Sequence, residues 1–196
     1  KQNITMIRKI KTENNKCTFE IYHKNPYMCF NTANSIRRAL ISDVETYAPY
    51  NVLIKTNTSC QPDEYIAHRI GLIPFLKTNK YEENDTMKIN VSEKVVTAED
   101  IQGNSFTTIH KKSPIIKLIK NQTLDLEILF NKGTGAKHAR YSPTAGVGFE
   151  IKSDNTISFS FESINGENPC KHLLTALEHI VTRIHNVKYQ IEKINS

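Results

Sequence analysis

Histidines are the residues of this chain whose chemistry could support catalysis or metal binding. Of the seven histidines in 196 residues, His68 and His138 could form the acid–base pair that a hydrolase needs. No combination of serine, histidine and acid stands out by position, so this pair has no identifiable nucleophile. His172 and His179 are two helical turns apart, which is too far for one metal ion, and His185 does not complete a site. The sequence gives no support for an enzyme that acts alone.

Two further sets of residues have types suited to ligand binding. Residues 133–138, Gly-Thr-Gly-Ala-Lys-His, are rich in glycine like a phosphate loop, but they lack the GxxxxGK[ST] spacing and a following helix. The four cysteines include no CxxC pair, which argues against a zinc knuckle or a redox dithiol. Their wide separation is typical of buried, small apolar residues in a reducing compartment. We therefore expect no metal site and no cofactor.

The charge and hydropathy of the chain bear on nucleic-acid binding and on membrane association. The net charge of +6 permits contact with nucleic acid, and an autonomous basic nucleic-acid-binding module is an alternative function. However, Lys and Arg are spread along the whole sequence, which is more typical of a solvated surface than of a binding stripe. No apolar run approaches the ~20 residues that span a bilayer, and no signal-peptide segment opens the chain. We expect an intracellular protein without a membrane partner.

Alternating apolar residues predict strands at both ends of the chain. The first predicted strand contains Ile4, Met6 and Ile10, and the second contains Cys17, Phe19 and Ile21. A second hairpin is predicted at 147–151 and 157–161, around a turn at Asp154 and Asn155. Between these ends, alternation at 87–91 and 124–130 and an apolar run at 115–119 indicate a β unit with its own minor core.

Two helices are predicted in the first half of the chain. The first covers 26–44, and its apolar residues recur in steps of three and four: Phe30, Ala33, Ile36, Leu40, Ile41 and Val44. Arg37 and Arg38 flank this predicted buried stripe. Pro49 is expected to end the helical region, before a strand at 52–54. A second helix is predicted to begin at Pro62 and to be capped by Gly71.

The last predicted helix, Pro169–Ile194, has the most regular apolar pattern. Seven residues spaced four and three apart form what we call the heptad seam: Leu173, Leu177, Ile180, Ile184, Val187, Ile191 and Ile194. The seam could pack on the chain's own sheet, but Leu174 and Val181 form a second apolar face that could do so instead. Burying seven such side chains contributes on the order of 10–20 kcal/mol gross, against about 4–15 kcal/mol for association. We therefore predict a partner helix on the seam.

Three segments resemble sequence motifs of one known protein family. Residues 34–38, Asn-Ser-Ile-Arg-Arg, resemble an N-A-L-R-R element. Residues 57–59 and 63–74 look like an N-T-S…D-E-x-x-A-H-R-L-G-L-I-P run, and residues 133–143 are similar to a G-x-G-x-x-H-A-K-W-S-P segment. These motifs are those of the α-type assembly subunits of multisubunit DNA-directed RNA polymerases, in particular the eukaryotic third subunit and its archaeal counterpart, in which the last segment ends the insert domain. The resemblance covers nearly the whole chain.

The resemblance implies an α+β fold and a non-catalytic role in transcription. A dimerisation domain, an antiparallel sheet with packed helices, would comprise residues 1–54 and 141–196. A small, mainly-β insert domain would comprise residues 55–140. The subunit would heterodimerise with a smaller α-like subunit through two helices of the dimerisation domain, in agreement with the heptad seam. The pair would then dock the second-largest catalytic subunit and the small zinc-binding subunits, without sequence-specific DNA contact.

Individual residues carry over from the motifs only where they match. Asn34, Arg37 and Arg38 match the element that faces the large subunit in the bacterial protein. The family motif to which we assign no contact consists of His138, Ala139, Arg140, Tyr141, Ser142 and Pro143.

The chain also departs from its family in ways that limit what carries over. The expected insert has no cysteine after Cys60, so neither the zinc cluster of polymerase II members nor the iron–sulfur site of some archaeal ones is implied. We expect no counterpart of the bacterial C-terminal DNA- and activator-binding domain. Abundant Ile, Lys and Asn suggest a large DNA virus or a divergent eukaryote, and therefore the nucleus, a cytoplasmic viral transcription site or a virion.

Overall fold

The structure, a computed structural model that describes residues 6–82 and 85–194, divides into two units. The first unit contains the described residues up to Val44, residues 134–137 and those from Ser142 onward. The second contains residues 45–133 and 138–141. The expected domain boundary after residue 54 falls inside the strand Glu45–Asn57, all of which lies in the second unit. Ile4, assigned to the first strand from sequence, lies outside the described residues.

Strands and helices alternate irregularly along the described chain, which is α+β. The strands are β1 (Met6–Glu13), β2 (Lys16–Tyr22), β3 (Glu45–Asn57), β4 (Leu76–Lys77), β5 (Thr86–Ser92), β6 (Val95–Thr97), β7 (Phe106–Thr107), β8 (Pro114–Lys117), β9 (Thr123–Thr134), β10 (Thr144–Ser153) and β11 (Thr156–Ser163). The helices are α1 (Pro26–Ser42), α2 (Asp63–Gly71) and α3 (Pro169–Ile194). Short 3-10 helices occur at Ala98–Asp100 and Ala139–Tyr141. The predictions of two hairpins at the ends and of the long last helix are confirmed.

The first unit is built on a four-stranded antiparallel sheet in the order β1-β2-β11-β10. Every second side chain of the two central strands points to the same face, and these side chains are apolar. Phe19 lies opposite Phe159, with ring centroids 4.9 Å apart. The helices α1 and α3 pack on this face. The buried residues of this core are Cys17, Phe19, Ile21, Cys29, Ala33, Ile36, Ala39, Leu40, Val44, Ile157, Phe159, Phe161, Leu173 and Ala176.

The ends of α1 follow from its sequence. The side-chain oxygen of Asn25 accepts a hydrogen bond from the Tyr27 amide at 2.9 Å, and Pro26 occupies a first-turn position that needs no N–H donor. The predicted helix is confirmed, but two members of its expected buried stripe are not buried. Phe30 is 45% exposed and Ile41 is 40% exposed. α1 therefore has apolar side chains that the described chain leaves partly uncovered.

The second unit contains a three-stranded sheet in the order β3-β9-β5 and two small antiparallel sheets, β4-β7 and β6-β8. α2 supplies Ile66 and Ile70 to its core. The remaining buried residues are Ile73, Phe75, Met87, Ile89, Val96, Ala98, Ile101, Phe106, Ile115, Ile116, Leu118, Leu124, Leu126, Ile128 and Phe130. Each unit thus has its own hydrophobic core.

Two predictions about proline and glycine in this unit are wrong. Pro49 lies inside β3, a strand of 13 residues, rather than at the end of a helical region. β3 is at the edge of its sheet, where the missing N–H of proline need not remove a ladder bond. Gly71 is the last helical residue of α2, and the cap is Leu72, whose backbone is right-handed. Gly71 instead lies beside Arg140: an added Cβ would be 3.5 Å from Arg140 Nη1.

Candidate functional site

The exposed surface of α1 combines apolar side chains with the predicted docking residues. Positions three and four apart share a helix face. The residues that share this face form what we call the α1 stripe: Tyr27, Phe30, Asn34, Arg38 and Ile41. Tyr27 is 81% exposed at one end, and Ile41 lies at the other. Asn34 and Arg38, two of the three predicted docking residues, therefore lie in the middle of a partly apolar stripe, and Arg37 lies beside it.

The three residues predicted to dock the large subunit, Asn34, Arg37 and Arg38, differ in how they are held. The side-chain oxygen of Asn34 accepts hydrogen bonds from Nε and Nη2 of Arg37, at 3.2 and 2.9 Å. This fork fixes the orientation of the Arg37 guanidinium before any partner binds. Arg38 is exposed, and within residues 6–82 and 85–194 its guanidinium forms no ion pair. The structure thus places the three residues together, with one arginine held and one extended to solvent.

The heptad seam divides into two parts along α3. Leu173 is 5% exposed and belongs to the core of the first unit, and Leu177 and Ile180 pack against that core. The remaining four seam residues, Ile184, Val187, Ile191 and Ile194, are between 54% and 83% exposed. Every described residue from Val181 onward is exposed. The second half of the helix therefore has an apolar face without a covering element in the described chain.

The second apolar face of α3 is placed differently from the sequence expectation. Leu174 and Val181, which could have packed on the chain's own sheet, are 60% and 51% exposed. The first part of the heptad seam takes that place instead. Periodicity could not distinguish the two faces because both are apolar and adjacent on the helix.

Two side-chain contacts join α3 to other elements of the first unit, and neither is predicted by the sequence patterns. Arg183 Nη2 lies 2.6 Å from Asp43 Oδ1, at the end of α1. Asp43 is buried, and its Oδ1 also accepts a hydrogen bond from Ser42 Oγ at 2.9 Å. Arg183 is 140 residues away in sequence, so no spacing rule could have found the pair.

The second contact is made by His172, which sequence analysis considered only as a metal ligand. Its Nε2 is 3.2 Å from the side-chain oxygen of Asn165 and 3.3 Å from Ser163 Oγ. Burial lowers the pKa of His172 to about 4, and the nearby Glu167 carboxylate offsets only part of this effect. The imidazole is therefore neutral at physiological pH and joins the end of β11 to the start of α3.

The segment 133–143, which we call the glycine-rich motif, has a structural role in each unit. In the second unit, Arg140 Nη1 donates to the Pro49 carbonyl at 2.9 Å, and the Tyr141 hydroxyl donates to the side-chain oxygen of Asn131. The Tyr141 ring is buried against Gly133, where an added Cβ would be only 2.8 Å from the ring. His138 is exposed, and its Nδ1 accepts from the Arg140 amide at 3.1 Å. These contacts explain the residues of the motif without a bound phosphate.

In the first unit, the same motif packs closely on the end of α1. The Ala136 amide donates to the Ser42 carbonyl at 3.1 Å. A Cβ added to Gly135 would lie 1.9 Å from the Ile41 carbonyl oxygen, so only glycine fits there. Pro143 is buried, and its carbonyl accepts from the Ile164 amide at 2.9 Å. These contacts fix the path of the chain into β10.

The Asn-Thr-Ser motif builds the turn before α2. Asn57 Nδ2 donates to the Gln61 carbonyl and to Asp63 Oδ1, at 2.9 and 2.7 Å. Its side-chain oxygen accepts from the amide and hydroxyl of Ser59. Thr58 ties this turn to the start of β9: its hydroxyl accepts from the Thr123 amide at 2.7 Å, and its amide donates to the Thr123 carbonyl at 3.1 Å. The motif therefore has a structural explanation that needs no ligand.

The candidates for chemistry do not come together as a reaction centre. Within the described residues, no group of three or more His, Cys, Asp or Glu side chains could hold a metal ion. Cys17 and Cys29 are buried, and burial is the main cause that raises the pKa of the Cys17 thiol to about 11. Cys60 is exposed, contrary to the expectation that the thiols are buried. None of the described helices is both long enough and apolar enough to pass through a membrane.

Several known proteins similar to this chain are RNA polymerase subunits. The chain is 30% identical over 165 residues to DNA-directed RNA polymerase subunit Rpo3 of Methanocaldococcus jannaschii, covering 83% of this chain and 85% of that protein. It is 32% identical over 159 residues to DNA-directed RNA polymerase II subunit RPB3 of Schizosaccharomyces pombe, covering 64% of this chain and 54% of that protein. It is 31% identical over 164 residues to subunit 3 of DNA-directed RNA polymerases II, IV and V of Arabidopsis thaliana, covering 64% and 51%.

The lengths of these relatives differ. The chain spans most of the archaeal protein but only about half the length of the two eukaryotic ones. No family model matches the chain.

Proposed function

Because the chain belongs to the family of subunit 3 of multisubunit DNA-directed RNA polymerases, we propose that it is a non-catalytic assembly subunit of such an enzyme. The first unit is the dimerisation domain and pairs with a smaller α-like subunit. The second unit is the insert domain. The dimer then docks the second-largest catalytic subunit and the small zinc-binding subunits. Assembly takes place where the polymerase works, which is the nucleus or, for a viral enzyme, a cytoplasmic transcription site or the virion.

The observation that carries this proposal is the uncovered apolar face of α3. Residues 181–194 would extend about 21 Å at 1.5 Å per residue. The packed first part of α3 nucleates the helix, but residues 181–194 gain no tertiary packing from the described chain, and such packing supplies most of the stability of helices in proteins. The stability of this segment therefore depends on a partner that covers its apolar face.

The energy of that face also indicates how large the interface must be. Covering the four exposed seam residues contributes roughly 1–2 kcal/mol each, since each is already partly shielded. The total of about 4–8 kcal/mol is at the low end of the ~4–15 kcal/mol that association costs. A stable dimer therefore needs further contacts, and the exposed Tyr27 and Phe30 of α1 supply large apolar side chains. We assign the exposed part of α3 and the N-terminal end of α1, with Tyr27 and Phe30, to the dimer interface. Asn34 and Arg38, further along α1, are left for the large subunit.

Docking of the large subunit is assigned to Asn34, Arg37 and Arg38. The Asn34–Arg37 fork presents an oriented guanidinium, and planar guanidinium groups suit carboxylates and carbonyls. Arg38 adds a second cation that has no ion pair in the described chain. The alternative of an autonomous nucleic-acid-binding module is not favoured by the similarity to polymerase subunits.

The experiment is co-expression with the smaller subunit, followed by co-purification. The double variant Ile184→Asp, Ile191→Asp adds two carboxylates to the exposed part of the seam and leaves the chain's own core intact. We expect the affinity for the smaller subunit to fall at least about a hundredfold, since two charges would be buried without partners. The matched control is Thr182→Asp, Asn186→Asp, which adds the same charge to the opposite side of α3. Unchanged pairing of the seam variant, or equal loss in the control, would refute the interface.

A second arm of the same experiment separates docking from pairing. Arg38→Glu and Arg37→Glu should keep the dimer but weaken recovery of the second-largest subunit, with Lys24→Glu as a control at an exposed site. Loss of both partners together would contradict the assignment of docking to these arginines.

A further inference from the structure

Segment 109–120 of the second unit is an exception to the dispersed charge of this chain. It reads Ile-His-Lys-Lys-Ser-Pro-Ile-Ile-Lys-Leu-Ile-Lys, with four lysines and no acidic residue. The segment consists of a turn, the strand β8 and a second turn. Ile115, Ile116 and Leu118 are buried in the core of the unit. The other side chains of β8 are therefore presented outward from a fixed backbone.

All four lysines, Lys111, Lys112, Lys117 and Lys120, are exposed. Lys117 lies directly opposite Val95 on the paired strand β6, and Val95 is 51% exposed. This pairing places the Lys117 side chain, with its terminal ammonium group, beside the aliphatic Val95 side chain on the outer face of the β6-β8 sheet.

Within residues 6–82 and 85–194, these lysines are not neutralised by carboxylates. Among the described residues, none of the four forms an ion pair. Nearby Asp100 is engaged by Lys94 and by the Thr97 amide, and Glu93 accepts from the Asn121 amide. Glu99 is exposed close to Lys111, whose carbonyl accepts from the Glu99 amide at 2.9 Å. Glu93 and Glu99 are both exposed and neither forms an ion pair among the described residues, so four lysines beside two such carboxylates still leave a positive excess.

Aliphatic side chains lie among these charges. Ile109 is 49% exposed in the turn before β8, and Ile119 is 60% exposed in the turn after it. Together with the four lysines, these two residues form what we call the lysine surface. A surface that mixes cations with aliphatic groups matches a ligand that mixes anions with apolar groups.

We propose that the lysine surface binds an acidic polypeptide segment whose Asp and Glu residues alternate with large apolar side chains. The carboxylates pair with the lysines, and the apolar side chains cover Ile109 and Ile119. A nucleic acid fits this surface less well. The segment itself contains no arginine and no aromatic residue. Arg69 contacts it, but the Arg69 guanidinium already donates to the Pro114 carbonyl and to the Tyr65 hydroxyl, at 2.6 and 2.8 Å, and lies over the Tyr65 ring. These existing contacts compete with bidentate binding of a base by Arg69 and with stacking of a base on Tyr65. None of its residues belongs to the helices assigned to assembly, so it would recruit a partner to a polymerase that is already formed.

The test uses fluorescence anisotropy on the full chain carrying Ile184→Asp and Ile191→Asp, so that the exposed seam cannot capture the probe. The probe is a labelled synthetic peptide that repeats Asp-Glu-Leu-Phe. The comparison ligands are a peptide of equal length that repeats Asp-Glu-Ser-Gly and a DNA duplex. Measurements are made near physiological salt, about 0.15 M, because weaker screening exaggerates surface attraction.

Two variants of the surface separate charge from apolar contact. Lys111→Glu with Lys117→Glu should weaken binding of the Leu-Phe peptide about tenfold or more, since attraction is replaced by repulsion at two positions. Ile109→Asn with Ile119→Asn should weaken it about three- to tenfold while leaving the charge unchanged. The charge control is Lys16→Glu with Lys24→Glu, two exposed lysines of the first unit, which should leave binding unchanged.

Absence of peptide binding at this salt concentration would overturn the proposal. The proposal would also be overturned if the Ser-Gly peptide or the duplex bound as tightly as the Leu-Phe peptide and the isoleucine changes had no effect. The surface would then be a nonspecific binding site for polyanions. Equal loss in the Lys16 and Lys24 control would show that net charge alone is responsible. Pairing with the smaller subunit is measured on the same lysine variants in the wild-type seam background; retained pairing separates this result from the proposed function.

Discussion

Protonation of His172 should destabilise the first unit in mildly acidic solution. In the unfolded chain this imidazole has its ordinary pKa of 6.5, whereas burial lowers the folded value to about 4. Between these values the unfolded chain binds a proton that the folded chain does not. The stability that the neutral imidazole provides is therefore complete above pH 6.5 and is lost as the pH falls towards 4.

The difference between the two pKa values sets the size of the effect. At about 1.4 kcal/mol for each unit of pKa, the free energy of unfolding should fall by about 2 kcal/mol between pH 7 and pH 5, and by about 3 kcal/mol at pH 4. The interval from pH 7 to pH 5 is the more informative part of this range. Burial raises the pKa of Glu167, but the pairing with Lys171 outweighs burial and lowers the pKa overall, so this carboxylate stays ionised over that interval.

The assay is urea denaturation at several pH values between 7 and 5, followed by circular dichroism. α1 and α3 have 17 and 26 residues against nine in α2, so the helical signal reports mainly on the first unit. The variant His172→Gln keeps a donor towards Asn165 but cannot titrate. It should be less stable at pH 7 by about 1 kcal/mol, and its stability should change little down to pH 5.

The exposed His185 provides the matched control, since it lies on the same helix. His185→Gln should keep the full loss of about 2 kcal/mol between pH 7 and pH 5. The reasoning would be refuted by a wild-type stability that is constant over this range. It would equally be refuted by a decrease of the same size in His172→Gln, because the proton would then bind elsewhere.

Two further predictions concern the glycine-rich motif. Gly135→Ala should destabilise the first unit by at least about 3 kcal/mol, because the new Cβ would lie 1.9 Å from the Ile41 carbonyl oxygen. The control is Gly148→Ala, since no atom lies within 4 Å of a Cβ added there, and equal stability of the two variants in urea denaturation would contradict the close packing at Gly135. Arg140→Lys should destabilise the second unit by about 1–2 kcal/mol, because lysine cannot both reach the Pro49 carbonyl and keep a planar group beside Gly71. Thermal unfolding measures this change, and a melting temperature equal to that of the wild type would show that the guanidinium contact does not contribute.

The elements that local patterns determine were predictable from the sequence. α3 has the predicted bounds, and the strands β2, β5, β9, β10 and β11 lie where side chains alternate. These patterns are reliable because one face of each element is buried and the other is solvated. Three short strands, β4, β6 and β7, were not predicted. With two or three residues each, they have too few positions to show an alternation.

Features that depend on distant parts of the chain could not be predicted. Pro49 was expected to end a helical region, but it is accommodated at a sheet edge and its carbonyl is bound by Arg140, 91 residues later. Gly71 has the residue type of a helix cap, but it lies against the same arginine. Asp43 is bound to Arg183. In each case the determining partner is distant in sequence, so local propensity gives the wrong reason or none.

The heptad seam illustrates what periodicity can and cannot determine. A spacing of four and three identifies an apolar face, but it does not say whether the chain itself or a second chain covers that face. In α3 both occur on one continuous helix: the seam is buried at Leu173 and exposed from Ile184 onward. The polar anchors His172 and Arg183 bracket the part that packs on the chain's own core. Because only the remainder is exposed, we expect Tyr27 and Phe30 of α1 to contribute to the proposed dimer interface.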